Sequence, residues 1–459
     1  MLLGLLEQKK IWLYQHESLA CRGYYIIIKI FKGFTFVSLV MTALTGCSVY
    51  SDNITGAFVD PGFLTVIRGV IGKPTGAIYK ADVEGITELD VSERAITSLS
   101  GIEYFTALIR LDCSWNQLTA LDISNNTSLV ELRCVYNQLT MLDISNNSAL
   151  EVLICDENEL TLLDISSNTA LKSLHCGWNM LTTLDVSNNL ALEELGFRAI
   201  QLATLDISNN LVLKVLDCAY NQLTTLDVSN NLALEAIWCG NNLLTTLDVL
   251  GNTALKRLDC RSNQLTSLDV SNNFALEELW CDENQLTMLN VSNNLALKRF
   301  ICSNNQLIML DISNNTALEW FEYSNNQLPA IDVSNNTALK MFRCSGNQLT
   351  AIDISNNLAL EVLNCDNNQL TSLVISNNPA LKWFHCDNNQ LTVLDISNNP
   401  ALELFTCNGN QLTILDISNN PALKRLNCSN NQLSSPYDVI GWQEIGLILG
   451  NTFTFDPQN

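Results

Sequence analysis

From Leu108 onward, apolar and polar positions follow one fixed phrase, L-x-x-L-x-C-x-x-N-x-L, which returns every 21 residues without insertion or deletion. Fifteen complete copies run from Leu108 to Ala422, and a sixteenth opens at Leu423 and dissolves after Leu433. A unit this short cannot close a core by itself, so neighbouring units must share one. Residues such as Leu111, Cys113 and Leu118 therefore stack on their equivalents in columns about 4.8 Å apart along a parallel sheet. Sixteen turns of this kind make a rod about 75 Å long.

The second half of each unit, L-D-I/V-S-N-N as in Leu121 to Asn126, repeats the apolar spacing of the first half about ten residues on. This predicts two short strands per coil. Asparagine recurs at both corners. Asn126 has a counterpart in every complete unit, and Asn116 in every unit except the fifth, which carries Ile200. A side-chain amide can both donate and accept, so two asparagine ladders are expected to satisfy the buried backbone of the turns.

With these motifs in view, the chain resembles the leucine-rich repeat family, in its 21-residue bacterial form, over about three quarters of its length. The stretch from Ile86 to Ala107 is similar to the opening turn of internalin-type repeat domains. The unit is one residue shorter than the usual internalin repeat and its second half is strand-like, which implies weak curvature. The expected fold is a mainly-β solenoid with short helical caps. Its parts are a signal segment at 1–46, an N-terminal linker and cap at 47–85, the repeats at 86–434 and a C-terminal cap at 435–459. In the first cap, Phe63, Val66, Ile67, Val70 and Ile71 predict an amphipathic helix within Asp60 to Asp82. A second helix is expected over Tyr437 to Leu449, and a strand through Thr452 to Phe455.

Near the N-terminus, Lys29 and Lys32 precede an apolar run from Gly33 to Leu44, too short for a membrane span and closed by small residues. This is the composition of a secretory signal; the alternative is an apolar helix of a small N-terminal domain. Leu44-Thr45-Gly46-Cys47 resembles the bacterial lipobox. That resemblance implies acylation of Cys47, export, and, with Ser48 following, sorting to the outer membrane. Membrane contact is expected through the lipid anchor alone.

Charge narrows the partners. The formal net charge is -23, and removal of residues 1–46 leaves 19 basic and 45 acidic residues. Such a surface repels nucleic acid and anionic lipid. Sixteen cysteines in an exported chain would ordinarily suggest disulfides. Fourteen of them, however, hold one place in successive coils, replaced only by Phe197 and Tyr323. Side chains in an in-register parallel column point the same way, a poor geometry for bridging. Buried free thiols are expected, with disulfides or a metal as the alternative.

The outward positions divide into constant and variable columns. Asp122 recurs in thirteen of fifteen units, with Asn290 and Val374 as the exceptions. Like charges at this spacing need partners, either neighbouring hydroxyls and amides or a cation such as calcium. Another column alternates from Glu151 and Lys172 through to Glu403 and Lys424, which stabilises modestly and points to growth by 42-residue pairs. The fifth unit, lacking both Cys and Asn, is expected to be a local defect.

Recognition belongs with variation on a fixed scaffold. The candidate ligand-binding residues are Arg133, Trp238, Trp280 and Arg343 on the first strand and Trp115, Tyr136, Trp178 and Tyr220 two places past the cysteine column. Aromatic and arginine side chains dominate protein-binding hot spots. The expected partner is a protein on a host or envelope surface; a carbohydrate, or no ligand at all in a passive spacer, are the alternatives. No catalytic residue, metal or cofactor is expected. His175 and His385 lie ten turns apart, about 48 Å, and cannot share a site.

Overall fold

The computed structural model describes residues 52–458. The expected signal segment and Cys47 lie outside the described residues.

One short parallel strand per coil builds a single sheet of eighteen strands, from Glu88–Asp90 to Phe453–Thr454. Register follows the sequence period: Arg110, Leu111 and Asp112 pair with Glu131, Leu132 and Arg133. All but the last of these strands are three residues long, with the middle residue facing inward. Leu111 is buried while Arg110 points to solvent. Backbone pairing continues past the strand, Cys113 N–H donating to Arg133 O at 2.8 Å. The chain is thus a parallel β-solenoid, as its periodicity predicts.

Leu108, Leu111, Cys113, Leu118 and Ile123 and their equivalents form one continuous buried core. In the C-terminal half the strand leucine is often phenylalanine, and the rings stack from coil to coil. Phe300 and Phe321 are 5.5 Å apart, Phe321 and Phe342 5.8 Å, and Phe384 and Phe405 5.0 Å. Tyr323, filling a cysteine place, packs 4.9 Å from Phe321. The fourteen column cysteines are all free and buried. Burial, reinforced by the nearby Asp156 and Asp112 charges, pushes the Cys134 thiol up to about 12.

The two asparagine ladders differ in kind. Asn137 spans neighbouring coils: its amide nitrogen donates to Cys113 O at 3.0 Å and its oxygen accepts from Leu118 N at 3.0 Å. At the opposite corner, Asn147 donates to Ile123 O and Asn126 O at 3.1 and 2.8 Å, while its buried oxygen has no partner. That corner uses the amide for its two donors. At the fifth coil, where Ile200 replaces asparagine, Asn221 of the next coil accepts from Ile200 N and Leu202 N. Glu194–Gly196 stays in register on both sides, so the defect is local.

The second half of the coil is less regular than two strands per coil would require. Ladders form there only between Ala351–Asp353 and Ser372–Val374, and between Leu415–Asp416 and Val439–Ile440. The aspartate captures the backbone locally whether or not a ladder forms. Asp122 Oδ1 accepts from Ser124 N at 3.0 Å and Ser124 Oγ at 2.7 Å, and Asp416, inside a ladder, accepts from Ser418 N at 2.9 Å and Ser418 Oγ at 2.6 Å.

The first cap contains the expected helix, α1 (Pro61–Val70), with Phe63 and Ile67 on its buried face. Pro61 opens it without losing a needed donor, and Asp60 caps it by accepting from Phe63 N at 3.0 Å. The other carboxylate oxygen of Asp60 accepts from Thr97 N and Oγ1, both at 2.8 Å, tying the helix to the opening coil. At the other end the expected helix over Tyr437 to Leu449 does not form. A 3-10 turn at Pro436–Asp438 leads into the strand Val439–Ile440 and then turns. Gly441, Gly446 and Gly450 all have positive φ, which an α-helix cannot accommodate. At Gly441 a Cβ would also come within 2.5 Å of Ser418 Cα. The strand predicted beyond it is present as Phe453–Thr454, with Trp442 packed 5.3 Å from Phe453.

Two outcomes follow from this core. Thiol reagent added to the native protein should leave the fourteen column cysteines unreacted on the timescale at which the denatured protein labels fully, as read by mass spectrometry. Asn252→Ala strips partners from the buried carbonyls of Val228 and Asn231. It should cost about 3 kcal/mol in denaturant unfolding, whereas Thr253→Ala, at the exposed neighbouring position, should cost little.

Candidate interaction face

The residue two places past the cysteine column lies in the left-handed region in all sixteen coils, with φ between 49° and 68°. Here the chain leaves the strand and turns, and the asparagine that follows holds the turn through its ladder bonds. From the tenth coil onward the place is filled only by Asn304, Asn325, Gly346, Asn367, Asn388, Gly409 and Asn430. Those are the residue types that tolerate this backbone. The first six coils instead carry Trp115, Tyr136, Glu157, Trp178, Ala199 and Tyr220. Glu93 occupies the same place in the opening turn, with φ of 55°.

Four of the candidate residues therefore share one edge row. Trp115 and Tyr136 are brought together, their rings stacked at 4.2 Å and 14°. They line an open groove of about 660 Å³ with Glu93, Ala95, Asn116, Gln117 and Gln138. Trp115, Tyr136 and Trp178 are each about half exposed. Tyr220 is covered by the Arg198 guanidinium, 4.8 Å from its ring centre.

The strand-face candidates are more enclosed. Arg257 lies over Trp238 at 5.5 Å and Arg261 over Trp280 at 5.4 Å, with Arg261 also held by Asp259 at 2.8 Å. Arg133 pairs with Glu131 at 2.6 Å and Arg343 with Glu322 at 3.5 Å. Trp238 and Trp280 stand two coils apart and do not join the edge groove. Glu93, Gln117, Gln138 and Glu157 are not singled out by the sequence pattern alone. The signal that could find them is the asparagine and glycine filling the edge row in later coils.

Next to this row, burial acts on several carboxyls. It pushes Asp282 up to about 6 against the pull of Arg261, and Asp282 Oδ1 is buried without a hydrogen bond. Burial and the neighbouring Asp366 also bring Asp387 to about 6. The constant aspartate column behaves oppositely. The Ser124 hydroxyl and amide hold Asp122 below the usual carboxylate range, giving this column of charge its hydrogen-bond partners. The Glu/Lys column closes as pairs, with Lys172 on Glu151 at 2.7 Å and Lys424 on Glu403 at 2.8 Å.

Five stretches, residues 113–136, 134–156, 299–322, 386–407 and 404–425, match the family described as the LVIVD repeat. Among solved structures, the functional domain of InlJ from Listeria monocytogenes, described as including a cysteine ladder, is 32% identical. It superposes with a TM-score of 0.71 over 82% of this chain and 81% of that one. The chain belongs to the internalin-like leucine-rich repeat proteins. A leucine-rich repeat protein of Leptospira interrogans is 27% identical, with a TM-score of 0.66 over 72% of this internalin-like chain and 92% of its own. Internalin H of Listeria monocytogenes serovar 1/2a is 32% identical over 91 residues, 18% of this chain and only 17% of that relative.

Asp282 gives a pH test with a definite sign. Its carboxyl binds a proton more readily folded than unfolded, so its stabilising contribution is full below about pH 4 and is lost as pH rises through about 6. Asp282→Asn should therefore gain stability over the parent as pH rises from about 5 to about 7.5. After discounting for partial exposure, the gain should be about 1 kcal/mol, measured by denaturant midpoints at both pH values.

Proposed function

We propose that this internalin-like solenoid is a cell-surface protein-binding scaffold that presents its variable side chains to a protein partner on a host or envelope surface. The observation that carries the reading is the set of half-exposed aromatic rings on a backbone fixed by in-register pairing. Rigid aromatic surface buries large area at little entropic cost, the usual chemistry of protein hot spots. The lipobox-like Leu44-Thr45-Gly46-Cys47 supports export and anchoring at the outer membrane through acylated Cys47. In this reading residues 47–85 and 435–459 close the ends of the repeat array at 86–434, as an exposed solenoid edge requires. Among the described residues no helix is long and apolar enough to cross a membrane.

The amides of Gln117 and Gln138 beside stacked Trp115 and Tyr136 favour a second reading, carbohydrate binding. Rings and amides together suit sugar faces and hydroxyls. Replacing Trp115, Trp178, Trp238 and Trp280 by alanine separates these readings. We expect binding to protein-coated surfaces to fall about tenfold or more while glycan-array signals stay at background. Loss confined to glycans would transfer the function to carbohydrate, and no loss on either surface would leave a passive spacer.

A further inference from the structure

The left-handed row offers an internal control within one chain. The backbone is the same in every coil, yet the late coils place asparagine or glycine there and the early ones place Trp115, Tyr136 and Trp178. For a large side chain this conformation is disfavoured. Beyond the mutual stack of Trp115 and Tyr136, core packing does not call for the rings, because each is about half exposed and the late coils hold the same turn without them. Something outside the fold accounts for aromatic side chains in a place suited to asparagine.

Charge says what that is. The row reads Glu93, Trp115, Tyr136, Glu157, Trp178, with the carboxylates of Glu93 and Glu157 exposed and, among the described residues, in no ion pair. The chain as a whole has a net charge of -23. Two coils past Trp178, Arg198 lies over Tyr220 at 4.8 Å, so a guanidinium already seats on a ring of this row. The chain's own arginines likewise cover Trp238 and Trp280. No such cation covers Trp115, Tyr136 or Trp178 among the described residues.

We propose that the edge row from Glu93 to Trp178 is the docking surface for a basic polypeptide segment, whose lysine or arginine side chains lie on the open rings between the carboxylates. At about 4.8 Å per coil the row is about 19 Å long, the span of about six extended residues. A cation over an indole or phenol face, flanked by carboxylates, is favourable and is weakened by salt. This deepens the protein-binding reading and rests on it.

The test titrates the purified protein with a capped octapeptide alternating glycine and arginine, against a glutamine-for-arginine control and chitotetraose, followed by tryptophan fluorescence and calorimetry. The deciding variant is Trp115→Asn/Tyr136→Asn/Trp178→Asn, which leaves net charge unchanged and installs the residue the late coils carry. The expected result is binding of the arginine peptide, about tenfold or more weaker in this variant and in Glu93→Gln/Glu157→Gln, with a thermal midpoint that does not fall. Trp178→Asn alone, which disturbs no ring stack, should keep the midpoint and lose part of the affinity. Equal affinity in the triple variant, or equal binding of the glutamine peptide or the sugar, overturns the proposal, as does no binding of the arginine peptide. If Trp238→Ala/Trp280→Ala abolishes peptide binding while the triple variant keeps it, the row assignment fails and the protein-binding reading stands.

Discussion

The whole structure depends on in-register stacking of a unit that cannot bury its own apolar face. Leu111 has a core only because Leu89 and Leu132 lie against it, and the same holds along the sheet. Stability in such an array is close to a sum of neighbour terms, so a weak coil is supported from both sides. The fifth coil shows this: it lacks the cysteine and the asparagine, yet Asn221 reaches back to its backbone and the sheet passes through. Insertions are the change this design tolerates least, since one extra residue would move every inward side chain of its coil out of line.

Much of this is legible in the sequence because periodicity reports directly on burial. The strand leucines, the thiol column, the asparagine corners and α1 all lie where spacing alone puts them. The second half of the coil reads as a strand from its apolar alternation, but ladders form there at only two places among the described residues. At the C-terminus the apolar content of Tyr437 to Leu449 suggests a helix, whereas Gly441, Gly446 and Gly450 impose turns. There a local backbone preference overrides a hydrophobic pattern.

The candidate face is half legible. Variable aromatic and arginine positions are visible in a comparison of coils, but their environments are not. Trp238 and Trp280 are covered by arginines that lie about a coil away in sequence, and Trp115 and Tyr136 form a stack that only the register creates. The positive φ of the edge row is written in the asparagines and glycines of the late coils. Its meaning emerges only when the early coils are seen in the same conformation.

The charge pairs have a consequence for how such a gene can change length. Each glutamate holds the lysine of the following coil, as Glu235 holds Lys256 and Glu277 holds Lys298. Unequal recombination that drops or adds two coils leaves every couple intact, while loss of a single coil sets like charges side by side at strand spacing. Length variants that fold well should therefore differ by an even number of coils, in steps of about 10 Å.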